Sequence, residues 1–256
     1  MKIIGIIPAR MESSRFPGKP LAHILGMPMI GHVYHRCKMS AILDDVYVAT
    51  CNNEIFDYIE SIGGKAIMTA STHERASDRA AEALRKIEVM DEDQKIDIVV
   101  MLQGDEPMVT PSMIEKAVKP LIENSDIQVS NLMSEIKTEE EWIDPNEVKV
   151  VSDIHSNALY FSREPIPSNK KYDGRFKAFK QVCVIPFRRD ALLEYIKLQP
   201  TPHEIMESVD MNRLLEHGLK VKLVKIEQES YAVDTKEDLK NVEVKIKNDI
   251  LLKDYN

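Results

Sequence analysis

Three cations gathered behind the first apolar run are the residues of this chain best suited to chemistry. Ile3-Ile4-Gly5-Ile6-Ile7 reads as a strand buried on both faces, and it empties through Pro8 and Ala9 into a loop carrying Arg10, Arg15 and Lys19. Two guanidinium forks and one compact ammonium, the latter held by the turn at Pro17-Gly18, suit the oxygens of a polyanion. The glycine spacing fits neither a Walker loop nor a GxGxxG turn. Charge alone would also describe a solvated surface loop. Position favours the anion site, because open α/β sheets bind ligands at the carboxyl ends of their strands. A second such exit follows Ile96 to Leu102, where Gln103-Gly104-Asp105-Glu106-Pro107 delivers a carboxylate. Beside a polyphosphate, Asp105 would hold a hard divalent cation such as Mg²⁺. Flanked by Gly104 and Pro107, it could equally be a turn residue.

The elements that must position these side chains alternate along the chain. Leu21 to Ile30 reads as a brief strand and turn leading into a helix whose apolar positions are Ile30, Val33, Tyr34 and Cys37. Asp45 to Thr50 is a second buried strand, a helix runs from about Asn53 to Ile62, and Lys65 to Met68 is a third short strand. This cadence predicts an α/β fold with a Rossmann-like, mostly parallel central sheet flanked by helices. After the third strand, Ser77 and Arg79 open an alanine-rich helix reaching about Ile87. Arg79 could donate to a carbonyl or a phosphate, while Ser77-Asp78 also reads as a helix N-cap. Pro202 to Gly218 reads as one helix packing through Ile205, Val209, Leu214 and Leu215, with Glu204, Glu207 and Asp210 on one face that is either solvated or able to hold a second metal.

Composition sets the outer limits. A chain of 256 residues, 43% hydrophobic and 30% charged, can bury a core as a single domain spanning 1–256. A formal net charge of −8 argues against nucleic acid and against a membrane surface as partners, so any anion site must be a local concentration of cations. Cys37, Cys51 and Cys183 lie far apart without CxxC spacing, as expected of small buried thiols in a reducing compartment. With no apolar run near eighteen residues, a cytoplasmic protein is expected.

The motifs combine into a resemblance. Pro8-Ala9-Arg10, the run from Ser13 to Pro20, and Leu102-Gln103-Gly104-Asp105-Glu106-Pro107 resemble the nucleotide-sugar synthases that activate 3-deoxy-manno-octulosonate with CTP. The order continues through Asp144 to Val151, Ala158 to Arg163 and Val233 to Leu239, so the resemblance covers nearly the whole chain. It implies a Mg²⁺-dependent cytidylyltransferase of nucleotide-diphospho-sugar transferase fold, with CTP and a small anionic sugar acid as partners. Arg10 and Lys19 would meet the triphosphate, acting with Asp105 in catalysis, and Asp105 and Asp234 would carry the metal. Nucleotide contacts are expected at Pro8, Ala9, Arg10, Arg15, Lys19, Ser77, Arg79 and Gln103, and acceptor contacts at Arg163, Gln181, Glu207 and Asp210. Read from the residues, Asp234 is either an N-cap or a carboxylate left available because Thr235 caps the next helix. Arg163 is likewise either a carboxylate grip or a rim ion pair. The resemblance also implies a small arm near 160–190, a dimerisation and acceptor region at about 155–190, and a homodimer.

The chain also departs from the family pattern. Gln181-Val182-Cys183-Val184-Ile185 stands where the family has His-Leu-Gly-Ile-Tyr, Asp210-Met211-Asn212-Arg213 stands for Glu-Gln-Leu-Arg, and Arg75-Ala76-Ser77 for Ser-Gly-Thr. Such changes fit an amino-substituted or other 2-keto sugar acid, or a phosphate- or phosphonate-bearing compound, as the acceptor. The remaining alternative is a nucleotide-binding relative without turnover.

Overall fold

The computed structural model describes residues 1–12, 15–90, 95–171 and 177–255. They divide into two compact units, Met1–Glu115 with Ser230–Asn256, and Lys116–Glu229.

The first unit contains β1 (Ile3–Ala9), the short β2 (His23–Ile24) and β3 (Met27–Pro28), α1 (Met29–Lys38), β4 (Asp45–Thr50), α2 (Asn53–Ser61), β5 (Lys65–Met68), α3 (Ala76–Met90) and β6 (Ile98–Leu102). Within it the sheet order is β6-β1-β4-β5, all parallel, as the alternation of strands and helices predicts. Ile4, Ile6, Ile7, Val48, Val99 and Val100 are fully buried, which is why these strands read as apolar runs rather than alternating ones. Alanines 80, 81 and 83 of α3 are buried beside Leu84 and Ile87, small residues that let the helix approach closely. In register, Ala9 lies opposite Thr50 and Thr50 opposite Met68, so the residues that follow them emerge along one edge of the sheet.

After α4 (Pro111–Glu123), the second unit contributes β7 (Ser130–Glu135), α5 (Glu139–Ile143), β8 (Lys149–Ser152), β9 (Ala158–Ser162), β10 (Phe179–Val182), β11 (Val184–Arg188), α6 (Arg189–Tyr195), α7 (Pro202–Glu207), α8 (Asp210–Glu216) and β12 (Lys222–Ile226). Its sheet runs β12-β7-β10-β8-β9, parallel only between β12 and β7. Of the expected arm, residues 172–176 lie outside the described residues. The chain then returns to the first unit with α9 (Lys236–Ile246).

Several expectations are corrected. Residues 202–218 form two helices, α7 and α8, because Ser208 adopts the left-handed conformation at φ 53 and ends the first. Ile205 faces outward at 61% exposure. Glu204 is buried rather than solvated, because Arg213 grips its carboxylate with two charge-assisted hydrogen bonds of 2.7 and 2.6 Å. Helix α3 begins at Ala76, so Ser77 is a buried residue of its first turn, not its cap. Of the cysteines, only Cys37 is buried; Cys51 and Cys183 are half-buried.

Candidate active site

The loop after β1 closes on itself before it presents a charge. The Gly18 N–H donates to the Met11 carbonyl at 3.0 Å, and Gly18 takes φ 75, a left-handed conformation that glycine adopts without steric cost. The next residue, Lys19, begins a short 3₁₀ turn, Lys19–Leu21. Phe16 anchors the loop from below: it packs in one apolar cluster with Ile24, Met29, Val233, Val242 and Ile246. Because Val233 belongs to the same cluster, burial also brings Asp234 to the loop, joining residues from opposite ends of the chain.

Asp105 arrives from the neighbouring strand. A side chain at Gly104 would come within 3.4 Å of the Pro8 carbonyl and 3.1 Å of Ile30, so its lack of a Cβ lets the β6 exit lie against that of β1. The Val233 N–H donates to the Asp105 carbonyl at 2.9 Å, tying the two carboxylate-bearing segments together.

One ammonium occupies the point where these segments meet. Lys19 Nζ donates to Asp105 Oδ2 at 2.8 Å, to the Val233 carbonyl at 2.8 Å and to Asp234 Oδ1 at 3.3 Å. Arg15 Nη2 donates to the same Asp234 oxygen at 2.8 Å. Burial works against the charge on Lys19, but Asp105 and then Asp234 outweigh it, so its pKa lies above the ordinary lysine value. The side chains of Lys19, Asp105 and Asp234 are 13%, 22% and 16% exposed, sheltered enough to strengthen electrostatics and open enough to admit a ligand. Thr235, not Asp234, caps α9, forming a capping box with Asp238. That leaves Asp234's carboxylate directed at the cations, the second of the two alternatives open at the level of sequence.

The other predicted nucleotide residues flank this centre. Pro8 and Ala9 end β1, and Gln103 follows β6. Exposed Arg10 reaches the His73 carbonyl through Nη1 at 3.4 Å. Arg79 is buried, donating to Thr69 Oγ1 at 2.5 Å and the Ala70 carbonyl at 3.2 Å, so it braces the loop that follows β5. His73 pairs with Glu82, which also accepts from the Ala70 N–H at 2.9 Å and pairs with Lys86 at 2.7 Å.

The predicted acceptor residues all lie in the second unit, where they form separate groups. Glu207 accepts from Tyr160 Oη at 3.1 Å, Ser162 Oγ at 2.8 Å and the Arg163 N–H at 2.7 Å. Burial opposes the charge on Glu207, but these donors hold its carboxyl below the ordinary range. Burial, and then the Glu207 charge, push the Tyr160 phenol up to about 12. Arg163 donates to backbone carbonyls, Glu207 through Nε at 2.7 Å and Pro145 through Nη1 at 2.8 Å. Gln181 Nε2 donates to Asn131 Oδ1 at 2.6 Å. Asp210 lies in the first turn of α8.

Asn52, Thr69, His73 and Glu82, none of them evident from the sequence, follow parallel strands or face the segments that do. The strand-exit rule that singled out Asp105 applies to Asn52, Thr69 and His73 as well, whereas Glu82 stands on α3 and is brought to them by its pairing with His73 and the Ala70 N–H.

Two carboxylates converging on one cation fit Mg²⁺, which binds through one or two carboxylates and fills its remaining positions with water and substrate phosphates. Among the described residues no group of three or more His, Cys, Asp or Glu side chains forms a fuller metal cage. No helix among them is long and apolar enough to cross a membrane.

Known proteins share this arrangement of elements. The cytidylyltransferase family model matches residues 4–230. The 3-deoxy-manno-octulosonate cytidylyltransferase of Geobacter metallireducens is 41% identical, over 96% of this chain and 98% of its own length. That of Geotalea uraniireducens is 40% identical, over 96% and 100%. Among solved structures, a CMP:2-keto-3-deoxy-manno-octonic acid synthetase complexed with CTP superposes with a TM-score of 0.87 at 35% identity, covering 96% of this chain and 99% of that one. A cytidylyltransferase from Leptospira borgpetersenii, at 18% identity and a TM-score of 0.61 over 98% of this chain and 88% of that one, shares the fold. With motifs, fold and full-length similarity in agreement, this chain belongs to the 3-deoxy-manno-octulosonate cytidylyltransferase family.

Proposed function

We propose that this chain transfers CMP from CTP to a hydroxyl of a 3-deoxy-manno-octulosonate-like sugar acid and releases pyrophosphate. The observation that carries this is Lys19, held between Asp105 and Asp234 with Arg15 on the same carboxylate, at the exit of β1. The acceptor oxygen forms a bond to the α-phosphorus as the bond to the β-phosphate bridging oxygen breaks. That oxygen leaves with pyrophosphate, and the hydroxyl proton passes to water. No side-chain nucleophile is required, so the protein's task is positioning and charge neutralisation.

Lys19, Arg15 and Arg10 bind the triphosphate and steady the departing pyrophosphate, their forks and point charge matching its oxygens. Asp105 and Asp234 would hold Mg²⁺, which when bound neutralises phosphate charge and lowers the pKa of the attacking hydroxyl. Ser77, Arg79 and Gln103 shape the nucleotide side. Arg163, Gln181, Glu207 and Asp210 serve the acceptor side, with Glu207 holding Tyr160, Ser162 and Arg163 in place. We assign the working form as a cytoplasmic homodimer, the cytoplasm being a compartment that keeps cysteines reduced.

One observation is compatible with a second acceptor. Asn131 spends both amide hydrogens on the Leu132 and Val182 carbonyls at 2.8 Å, so its oxygen must accept from Gln181. Gln181 is thereby oriented with its own carbonyl oxygen as acceptor, a group that suits an ammonium as well as a hydroxyl. An amino-substituted octulosonate is the alternative substrate. Pyrophosphate release from CTP with a panel of 2-keto sugar acids, with UTP and ATP in parallel, tests both. Release with none of them would leave a nucleotide-binding protein without turnover.

A further inference from the structure

Asn52 stands at the N-cap position of α2 with extended backbone angles, φ −113 and ψ 125, yet it makes no side-chain capping bond. Asparagine is among the best N-caps, and forgoing that bond typically costs about 1 kcal/mol. Its amide is used elsewhere. Oδ1 accepts the Met11 N–H at 3.0 Å and the Cys51 thiol at 3.4 Å, and Nδ2 donates to Glu12 Oε1 at 3.2 Å. Both Met11 and Glu12 lie between Arg10 and Arg15 in the loop after β1. Met11, whose N–H donates to Asn52, also accepts through its carbonyl the N–H of Gly18, the residue before Lys19. A single residue, Met11, thus links Asn52 to the turn that presents the site's ammonium. Thr50 Oγ1 steadies the arrangement by accepting the Asn52 N–H at 3.2 Å. The Glu12 carboxyl lies below the ordinary range, held there by its own backbone N–H and then by Asn52.

We infer that Asn52 is a positioning residue for the triphosphate loop, diverted from capping its own helix in order to hold Met11 and Glu12 and, through Met11, the Gly18-Lys19 turn. The inference rests on the proposed use of CTP. It assigns the exit of β4 a part in nucleotide binding that neither Arg10 nor Lys19 could supply alone.

The test separates capping from positioning. Asn52→Ser can cap α2 but is too short to span Met11 and Glu12. We expect an unchanged or slightly higher melting temperature, a roughly tenfold weaker CTP dissociation constant by calorimetry, a matching rise in KM for CTP, and no change in KM for the acceptor. Asn52→Asp sets two carboxylates against each other and should also weaken CTP. Adding Glu12→Gln to Asn52→Asp restores a donor across the gap and should bring affinity back to within about threefold of wild type. Equal CTP affinity in wild type and Asn52→Ser, or weakening in Asn52→Asp that Glu12→Gln leaves unrepaired, overturns the positioning role. If the wild-type protein itself does not bind CTP, it is the proposed function that fails.

Discussion

Lys19 Nζ stands 2.8 Å from Asp105 Oδ2, so an ammonium fills the place toward which the Asp105 and Asp234 carboxylates converge. The same Lys19 is proposed to meet the triphosphate, and it cannot serve phosphate oxygens and both aspartates with full strength at once. Ligand entry therefore means an exchange of partners, and the first predictions follow from it.

Replacing Asp105 with Asn removes a charged oxygen donor while keeping the shape of the side chain. The variant should fold, with a melting temperature within a few degrees of wild type, but its pyrophosphate release from CTP should fall by roughly 100-fold or more. Full turnover would remove Asp105 from the catalytic centre.

Because Lys19 and Arg15 occupy the carboxylates, Mg²⁺ alone should bind weakly and CTP should strengthen it. Linkage requires Mg²⁺ to strengthen CTP by the same factor, on the order of 5- to 100-fold. Lys19→Met should uncouple them, with tighter Mg²⁺ binding in the absence of CTP and weaker CTP binding. Titration calorimetry in both orders measures the cycle, and independent affinities in the wild type would contradict the exchange.

Glu82 provides a pH dependence away from the carboxylates. Burial by itself would raise its carboxyl, but hydrogen bonds from Lys86, the Ala70 N–H and His73 bring it down from 4.5 to about 2. A depressed carboxyl stabilises the fold above its unfolded pKa, and that contribution is lost as pH falls through the folded value. Glu82→Gln should therefore cost stability at neutral pH, and its melting temperature should converge on that of wild type as pH drops from about 4.5 towards 2. A constant difference across that range would show that the pairs around Glu82 do not depress its titration.

The end of the chain is anchored by a buried arginine. Arg36, fully buried, donates to Asp249 Oδ2 at 2.7 Å and to Tyr255 Oη at 3.0 Å, and His32 shares that phenol at 2.9 Å. Asp249→Ala leaves the guanidinium without its counter-charge and should destabilise the protein by about 3 kcal/mol in urea unfolding. A change under about 1 kcal/mol would mean that the tail contributes little to the fold.

Much of this was legible without a structure. β1, β4 and β6 announce themselves as apolar runs because strands buried on both faces tolerate little else, and the charges that follow Ala9 and Leu102 stand where such sheets bind ligands. The break between α7 and α8 was not legible. The apolar spacing continues through Ser208, and only its left-handed backbone, together with the burial of Glu204 against Arg213, shows that one periodic stretch is two helices. The role inferred for Asn52 was not legible for a related reason: which bond its amide makes depends on how close a distant loop comes.

From its residues alone the chain settled which chemistry was available: cations for phosphate, carboxylates for a hard metal ion, and a parallel sheet to carry them. Such properties follow from local composition and period. The tertiary structure decided which charges meet. Lys19 holds Asp105 and Asp234 together because Phe16 and Val233 are buried in the same apolar cluster, and burial over that sequence distance leaves no trace in local pattern.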